Sequence, residues 1–337
     1  MSSENIPKWN GRSFQTGCFH WWQVLDDLRI FVEIALAMII RKKEHWFRML
    51  FILRGSVLPK LFPRLLFYCL FSVLVVYLRG DLFSYKVQLN PAPFTLFGVA
   101  LAIFLGFRNT ASYDRFWEAR KLWGALLNDT RSLARQAMAM TPPKEADKMI
   151  RYLIAFTHCL RHQLRGTDAN ADLQRLLPAE MAEGLRSAVF KPMMILKAMG
   201  EWTQLMRLKG HIDTVQQGIF ETNFNQLSDI AGGCERIANT PIPFTFVVLL
   251  HRTIYIYCFL LPFGFVDSLG WVTPVIVTFM TYTFTALEAL ADELEEPFGL
   301  AQNDLALDAM SRTIENTLRE MNGERIVVEA PTGDFLT

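Results

Sequence analysis

The sequence predicts an all-α membrane protein, on three observations. Hydrophobic residues fill 51% of its 337 positions, more than a soluble domain of ordinary composition carries. They gather into four apolar segments, and between these the apolar residues recur at helical spacing. No stretch shows the period-two alternation of a half-buried strand.

The first segment, about 61–79, holds the charge-free run "LLFYCLFSVLVVYL" and gains length if Arg64 snorkels from its end. The second, about 91–107, opens on Pro91 and Pro93, which suit a helix start. The third, about 243–266, is interrupted by His251 and Arg252, and the fourth, about 268–288, is uncharged as far as Leu287. A lone spanning helix needs roughly 20 apolar residues, so only the fourth is comfortable by itself. Segments this short fit a bundle in which protein covers the polar positions. A large soluble helical core is the alternative.

Charge orients the segments. Seven basic residues against one acidic lie from Arg41 to Arg64. Only Arg79, Asp81 and Lys86 separate the first two segments, and only Asp267 the last two. The largest share of the charge sits in 108–240. Four spans place both termini and that region on one side, which the positive-inside rule makes cytoplasmic. The first strong apolar run starts too late for a cleavable signal peptide.

The charged region reads as cytosolic helices, 108–240 and 289–320. One helix over 118–138 stops at Pro142 and Pro143, and a second over 146–166 stops at Gly166. "DLQRLLPAEMAEGL" breaks at Pro178, and another helix covers 193–208. Residues 321–337 read as a flexible tail. The aromatics Phe19, Trp21 and Trp22 and the run "RIFVEIALAMII" make 1–37 an extension lying on the membrane surface.

No residue pattern points to a reaction. There is no Gly-rich phosphate loop, no GxSxG elbow and no HExxH, so neither an enzyme nor a cofactor is expected. A net charge of +1 does not mark a nucleic-acid surface. Cys18, Cys69, Cys159, Cys234 and Cys258 include no CxxC pair, and Cys69 and Cys258 lie in apolar runs as small buried hydrophobes. His158 and His162 stand four apart on one helix, but no third metal ligand is near in sequence, so packed or surface histidines are the plainer reading and no metal is assigned. The carboxylates Asp292, Glu293, Glu295 and Glu296 read as a solvated helix end rather than a catalytic site.

The second segment is more specific. Thr95, Val99, Ile103 and Phe107 form one i, i+4 row, and the small residues Gly98, Ala102 and Gly106 form the row about 100° away. Small residues four apart let helices approach closely in a membrane. Copies packed through them would stack Val99, Ile103 and Phe107 into apolar rings, a constriction that gates by dewetting. A tightly packed interior helix of a monomer has the same pattern, and spacing leaves both readings open.

"IFLGFRNTASYDRFWEARKLWG" (103–124) resembles the signature of the bestrophin family of ion channels, and "GGCERIANTPIPF" (232–244) and "ELEEPFG" (293–299) stand at the expected later positions. The resemblance spans about 38–317 and is nearest the bacterial branch. It implies a bestrophin-like homopentamer in a bacterial inner (plasma) membrane, with a channel domain over 38–320. Each subunit would have four spanning helical segments and a large cytosolic helical part. Its implied partners are further copies of the chain, membrane lipid and small inorganic ions, without nucleic acid.

Matched residue by residue, the pore neck falls on Val99, Ile103 and Phe107. Arg108, Asn109, Tyr113, Asp114, Arg115 and Glu118 then belong to the assembly just beneath, with Glu118 expected to pair along its own helix with Arg115 or Lys121. A second, cytosolic aperture maps onto Val215 in "HIDTVQQGIF".

Two departures bear on function. Animal members follow the "PFG" motif with a calcium-holding acidic run, whereas "LAQNDLALD" offers only Asp304 and Asp308, few ligands for a cation that wants six or more oxygens. Animal members are also aromatic at the middle of the neck, where this chain has Ile103. A ring edge carries partial positive charge, and an aliphatic side chain does not. Chloride is the family default, and the aliphatic neck favours monovalent cations. The other class of function open to the sequence is a membrane-bound carrier or scaffold for a small organic solute or a cytosolic partner.

Overall fold

The computed structural model describes residues 55–78 and 90–326, together with 38–39, 47, 81–82, 85–86 and 335–336. The expected surface extension 1–37, Cys18 and most of the tail 321–337 lie outside the described residues. Helix α1 (Leu58–Tyr77) is followed by α2 (Pro91–Met140), 50 residues without interruption. Asn90 starts α2 by accepting the Ala92 N–H at 2.9 Å, with Pro91 at the first helical position, where a missing N–H costs nothing. Extended backbone at Thr141 and Pro142 ends it.

Helix α3 (Pro143–Arg165) closes on Gly166 at φ +63, a left-handed cap that glycine adopts without strain. Short helices α4 (Asn170–Leu176) and α5 (Ala179–Arg186) are split at Pro178. Helix α6 (Lys191–Leu208) leads to α7 (Thr214–Asn239), whose start is a capping box between Asp213 and Gln216. Helix α8 (Phe244–Leu269), a 3-10 turn (Gly270–Val272), α9 (Thr273–Glu295) and α10 (Leu307–Met321) complete the order. Strand pairing among the described residues is confined to Met38–Ile39 with Phe335–Leu336 and Asp81–Leu82 with Tyr85–Lys86, both antiparallel.

By length and composition three helical stretches are fit to cross a membrane: Leu58–Tyr77, Ala92–Met140 and Phe244–Glu295. The last contains two of the four expected segments. Helices α8 and α9 pack against each other, and the chain turns at Gly270, φ +52 and ψ −126, a conformation that only glycine enters cheaply. The boundary between them therefore differs from the expected one. Ser268 and Leu269 finish α8, and the next helix begins at Thr273.

Two large hydrophobic cores form, beside a small cluster of Val75, Val76, Phe263 and Val266 between α1 and α8. One gathers Tyr68, Leu101, Leu105, Ile254, Cys258 and Phe284 from α1, α2, α8 and α9. The larger surrounds Trp123, Leu126, Phe156, Met199, Phe220 and Leu318, drawn from α2, α3, α6, α7 and α10. Helix α2 alone contributes to both.

Candidate functional site

The first half of α2 touches its own subunit along one face only. Leu101 and Leu105 are buried against α8 and α9, whereas Val99, Ile103 and Phe107 are 55%, 52% and 65% exposed. The two sets stand on opposite sides because residues two apart on a helix are separated by about 200°. The small row divides. Gly98 faces inward: a Cβ there would lie 2.6 Å from the Tyr257 hydroxyl, which donates to the Phe94 carbonyl at 3.2 Å. Ala102 and Gly106 face outward. One member of the expected row thus serves packing within the subunit.

Just past Phe107 the helix enters a polar junction. Arg108 is 1% exposed and pairs with Asp292, with Glu295 at 3.5 Å. Asn109 donates to the carbonyls of Leu105 and Leu287 at 2.9 and 3.1 Å. Arg115 donates to three carbonyls, Glu295 at 3.1 Å, Thr240 at 2.5 Å and Ile237 at 2.7 Å. These lie where α7 and α9 end, where helices leave carbonyls without partners. Glu118 does not pair along its helix. Its partner is Arg236 of α7 at 2.5 Å, because α7 packs alongside α2, a neighbour that spacing on one helix cannot reveal.

Two carboxylates in the last turn of α9 are equally committed. Glu293 meets Lys60 at 2.6 Å and Asn303 at 2.7 Å, and Glu295 also accepts the Ile242 N–H at 2.9 Å. Glu293 and Glu295 thus belong to a packed junction, which corrects the expected solvated helix end at these two positions, whereas Asp292 and Glu296 are exposed as expected. Tyr113 and Trp117 stack in parallel, 6.5 Å between centroids, and stay exposed, as does Asp114.

The family model described as "Bacterial/Fungal Bestrophin protein" matches residues 38–320. The chain belongs to the bestrophin family. It is 47% identical over 293 residues to the voltage-dependent anion channel-forming protein of Ralstonia nicotianae, covering 85% of this chain and 95% of that one. The voltage-dependent anion channel-forming protein YneE of Escherichia coli is 42% identical over 288 residues, 85% and 95% of the two chains. Among solved structures, a bacterial bestrophin homologue from Klebsiella pneumoniae superposes with a TM-score of 0.76 at 41% identity, over 79% of this chain and 100% of that one. Family and apolar helices together make this a membrane protein.

In this bestrophin the loop after "EPFG" is closed on itself. Asp304 is buried and accepts the Ala301 N–H at 2.7 Å, and its carboxylate fills the space beside Gly299, where a Cβ would lie 2.5 Å from Oδ2. Burial raises its pKa to about 6. Asp308 pairs with Arg161 at 3.1 Å and with Arg165. No three His, Cys, Asp or Glu residues among the described ones are grouped to hold a metal.

Val215 is 75% exposed at the start of α7, far from the α2 row in sequence. His158 and His162 are packed histidines. His158 Nε2 lies 2.7 Å from Glu315, and His162 Nε2 lies 3.1 Å from Asp172. Burial lowers the His162 pKa. Burial would raise Glu315, but hydrogen bonds from His158 and Arg175 outweigh it and hold the carboxyl well below its usual range. Cys159 and Cys234 are buried thiols pushed up to about 12, and Cys258 is buried while Cys69 is partly so. Sequence reading missed the Glu315 cluster and the pair of His251 with Glu288 at 2.7 Å between α8 and α9. For the second pair the signal was present, a charge inside an apolar segment that calls for a partner.

Proposed function

We propose that this bestrophin is an ion channel, a homopentamer whose central path for small monovalent ions is lined by α2. The supporting observation is the exposed row Val99, Ile103 and Phe107 on a helix whose opposite face is buried. In a monomer so much apolar surface on one side of a helix would meet lipid alone, yet the same helix continues into a charged half. Five copies around an axis give each ring a place, with Ile103 between two further apolar rings, and Val215 forms a second aperture. The outward Ala102 and Gly106 admit close neighbours.

The relatives' names carry anion conduction, whereas the aliphatic ring at Ile103 offers no ring edge to an anion and favours monovalent cations. Helices α8 and α9 make the third and fourth spans, and an even number of spans places both termini in the cytoplasm of a bacterial inner membrane. The carboxylates after Gly299 are spent on Arg161, Arg165 and backbone, so opening is independent of micromolar calcium.

Recording purified protein in a planar bilayer tests this reading. Unitary currents carrying many ions per opening are expected, and a reversal potential in a salt gradient gives the ion's sign. Transport that saturates without unitary steps would favour the carrier class instead. Light scattering in detergent should give five copies per particle, and a fully active monomer or dimer would overturn the assembly.

A further inference from the structure

Below Phe107, the exposed face of α2 bears charge. With about 100° per residue, Asp114 falls midway between Ile103 and Phe107 around the helix and about 180° from buried Leu105. It is exposed, and among the described residues its carboxylate has no hydrogen bond or ion pair. The surrounding charges are in use. Arg108 and Arg115 are bound within the junction, Glu118 pairs with Arg236, and Arg120 lies over the Trp117 ring at 5.9 Å. Lys121 shares the face of Asp114 but stands two helical turns farther on.

Resting on the channel reading above, we infer that Asp114 sets ion preference: five copies form a carboxylate ring directly beneath the neck that concentrates cations at its mouth. Seven residues separate Asp114 from Phe107, about 10 Å along the axis, and Lys121 stands about 21 Å away. At 0.1 M salt, charge is screened over roughly 10 Å, so the neck mouth feels the carboxylates far more than the lysines. A ring of like charge in a narrow, low-dielectric passage focuses counter-ions, and an unpartnered carboxylate keeps its whole charge for that purpose. The apolar neck carries no charge of its own, so a nearby charge adds to the cation preference left by its lack of ring edges.

The test is a bilayer reversal potential in a sodium chloride gradient. Asp114→Asn should lower the cation-to-anion permeability ratio about threefold or more near 0.1 M salt, and the difference should shrink near 1 M, where screening acts over about 3 Å. Asp114→Glu should keep the ratio, and Lys121→Gln should raise it by less. If Asp114→Asn fails to assemble, Asp114→Cys treated with methanethiosulfonate reagents replaces it. An anionic reagent should restore the ratio and a cationic one should lower it further, with untreated and treated wild type as controls. A conducting wild type whose ratio is unmoved by these changes at 0.1 M overturns the ring. A wild type without unitary currents overturns the channel reading itself.

Discussion

Phe97 and Trp123 stand on the same helix in opposite surroundings, the first 59% exposed and the second fully buried. The contrast extends to the halves they belong to. In the charged half Trp123, Phe156 and Phe220 are enclosed by their own subunit, as water requires of apolar groups. In the apolar half Phe67, Leu70, Phe97 and Phe279 point outward, because hydrocarbon or another copy replaces water there. The polar groups reverse the rule. Arg108 and Glu288 are buried in or beside the apolar half, where a solvent of lipid would leave them unpaired. The exposed phenylalanines lie mostly in the apolar half, and burial alone cannot say which residues matter.

The sharpest way to break this contrast is in the larger core. Trp123→Ala should lose about 4 kcal/mol through the cavity it leaves, read as a lowered unfolding midpoint in detergent, while Phe97→Ala should barely move it. Equal losses would mean the two halves obey one rule. Next, Arg108→Met should cost about 3 kcal/mol by leaving Glu295 without its cation, and wild-type stability in that variant would show that the junction holds no buried charge.

A smaller effect, with a definite pH course, belongs to Asp304. Its pKa is raised to about 6 by burial, so the stabilisation it gives as the neutral acid is complete below the unfolded pKa, near 3.9, and is lost as pH rises through about 6. Asp304→Asn keeps the acceptor without the charge. It should match wild type near pH 4 and exceed it by on the order of 2 kcal/mol above pH 7. A variant less stable at pH 7 would reverse the sign and refute the burial argument. Smallest in stability is Ile103→Ser, with a change below about 0.5 kcal/mol for an exposed site, but it should raise current because a hydroxyl tolerates water where isoleucine expels it. Leu101→Ser, on the buried face, should do the opposite, costing stability without changing selectivity. Similar effects at both positions would mean α2 is turned the other way.

Much of this was legible in the sequence where a residue type acts on its own backbone. Pro142, Gly166 and Pro178 end helices in the structure as their chemistry demands. Spacing alone placed Val99, Ile103 and Phe107 on one face and Leu101 on the other. What stayed hidden depends on a second element. Hydropathy does not record direction, so the apolar turn Gly270–Val272 was invisible between two apolar helices. Helical spacing considers a residue's own turns, so it offered Glu118 to Arg115 or Lys121 and overlooked Arg236. The carbonyls that Arg115 gathers belong to helix ends that are far away in sequence, and only the fold brings them together.

The unbroken length of α2 has a mechanical consequence. At about 1.5 Å per residue its 50 residues make a rod of roughly 75 Å, with no proline beyond its first turn at which to flex. Arg115 fastens it to the ends of α7 and α9, like an axle in its bearing. From there Ile103 is about 18 Å in one direction and Met140 about 38 Å in the other. A tilt about that bearing displaces Met140 about twice as far as Ile103, and in the opposite sense. A push on the far end therefore reaches Ile103 at half the travel and twice the force.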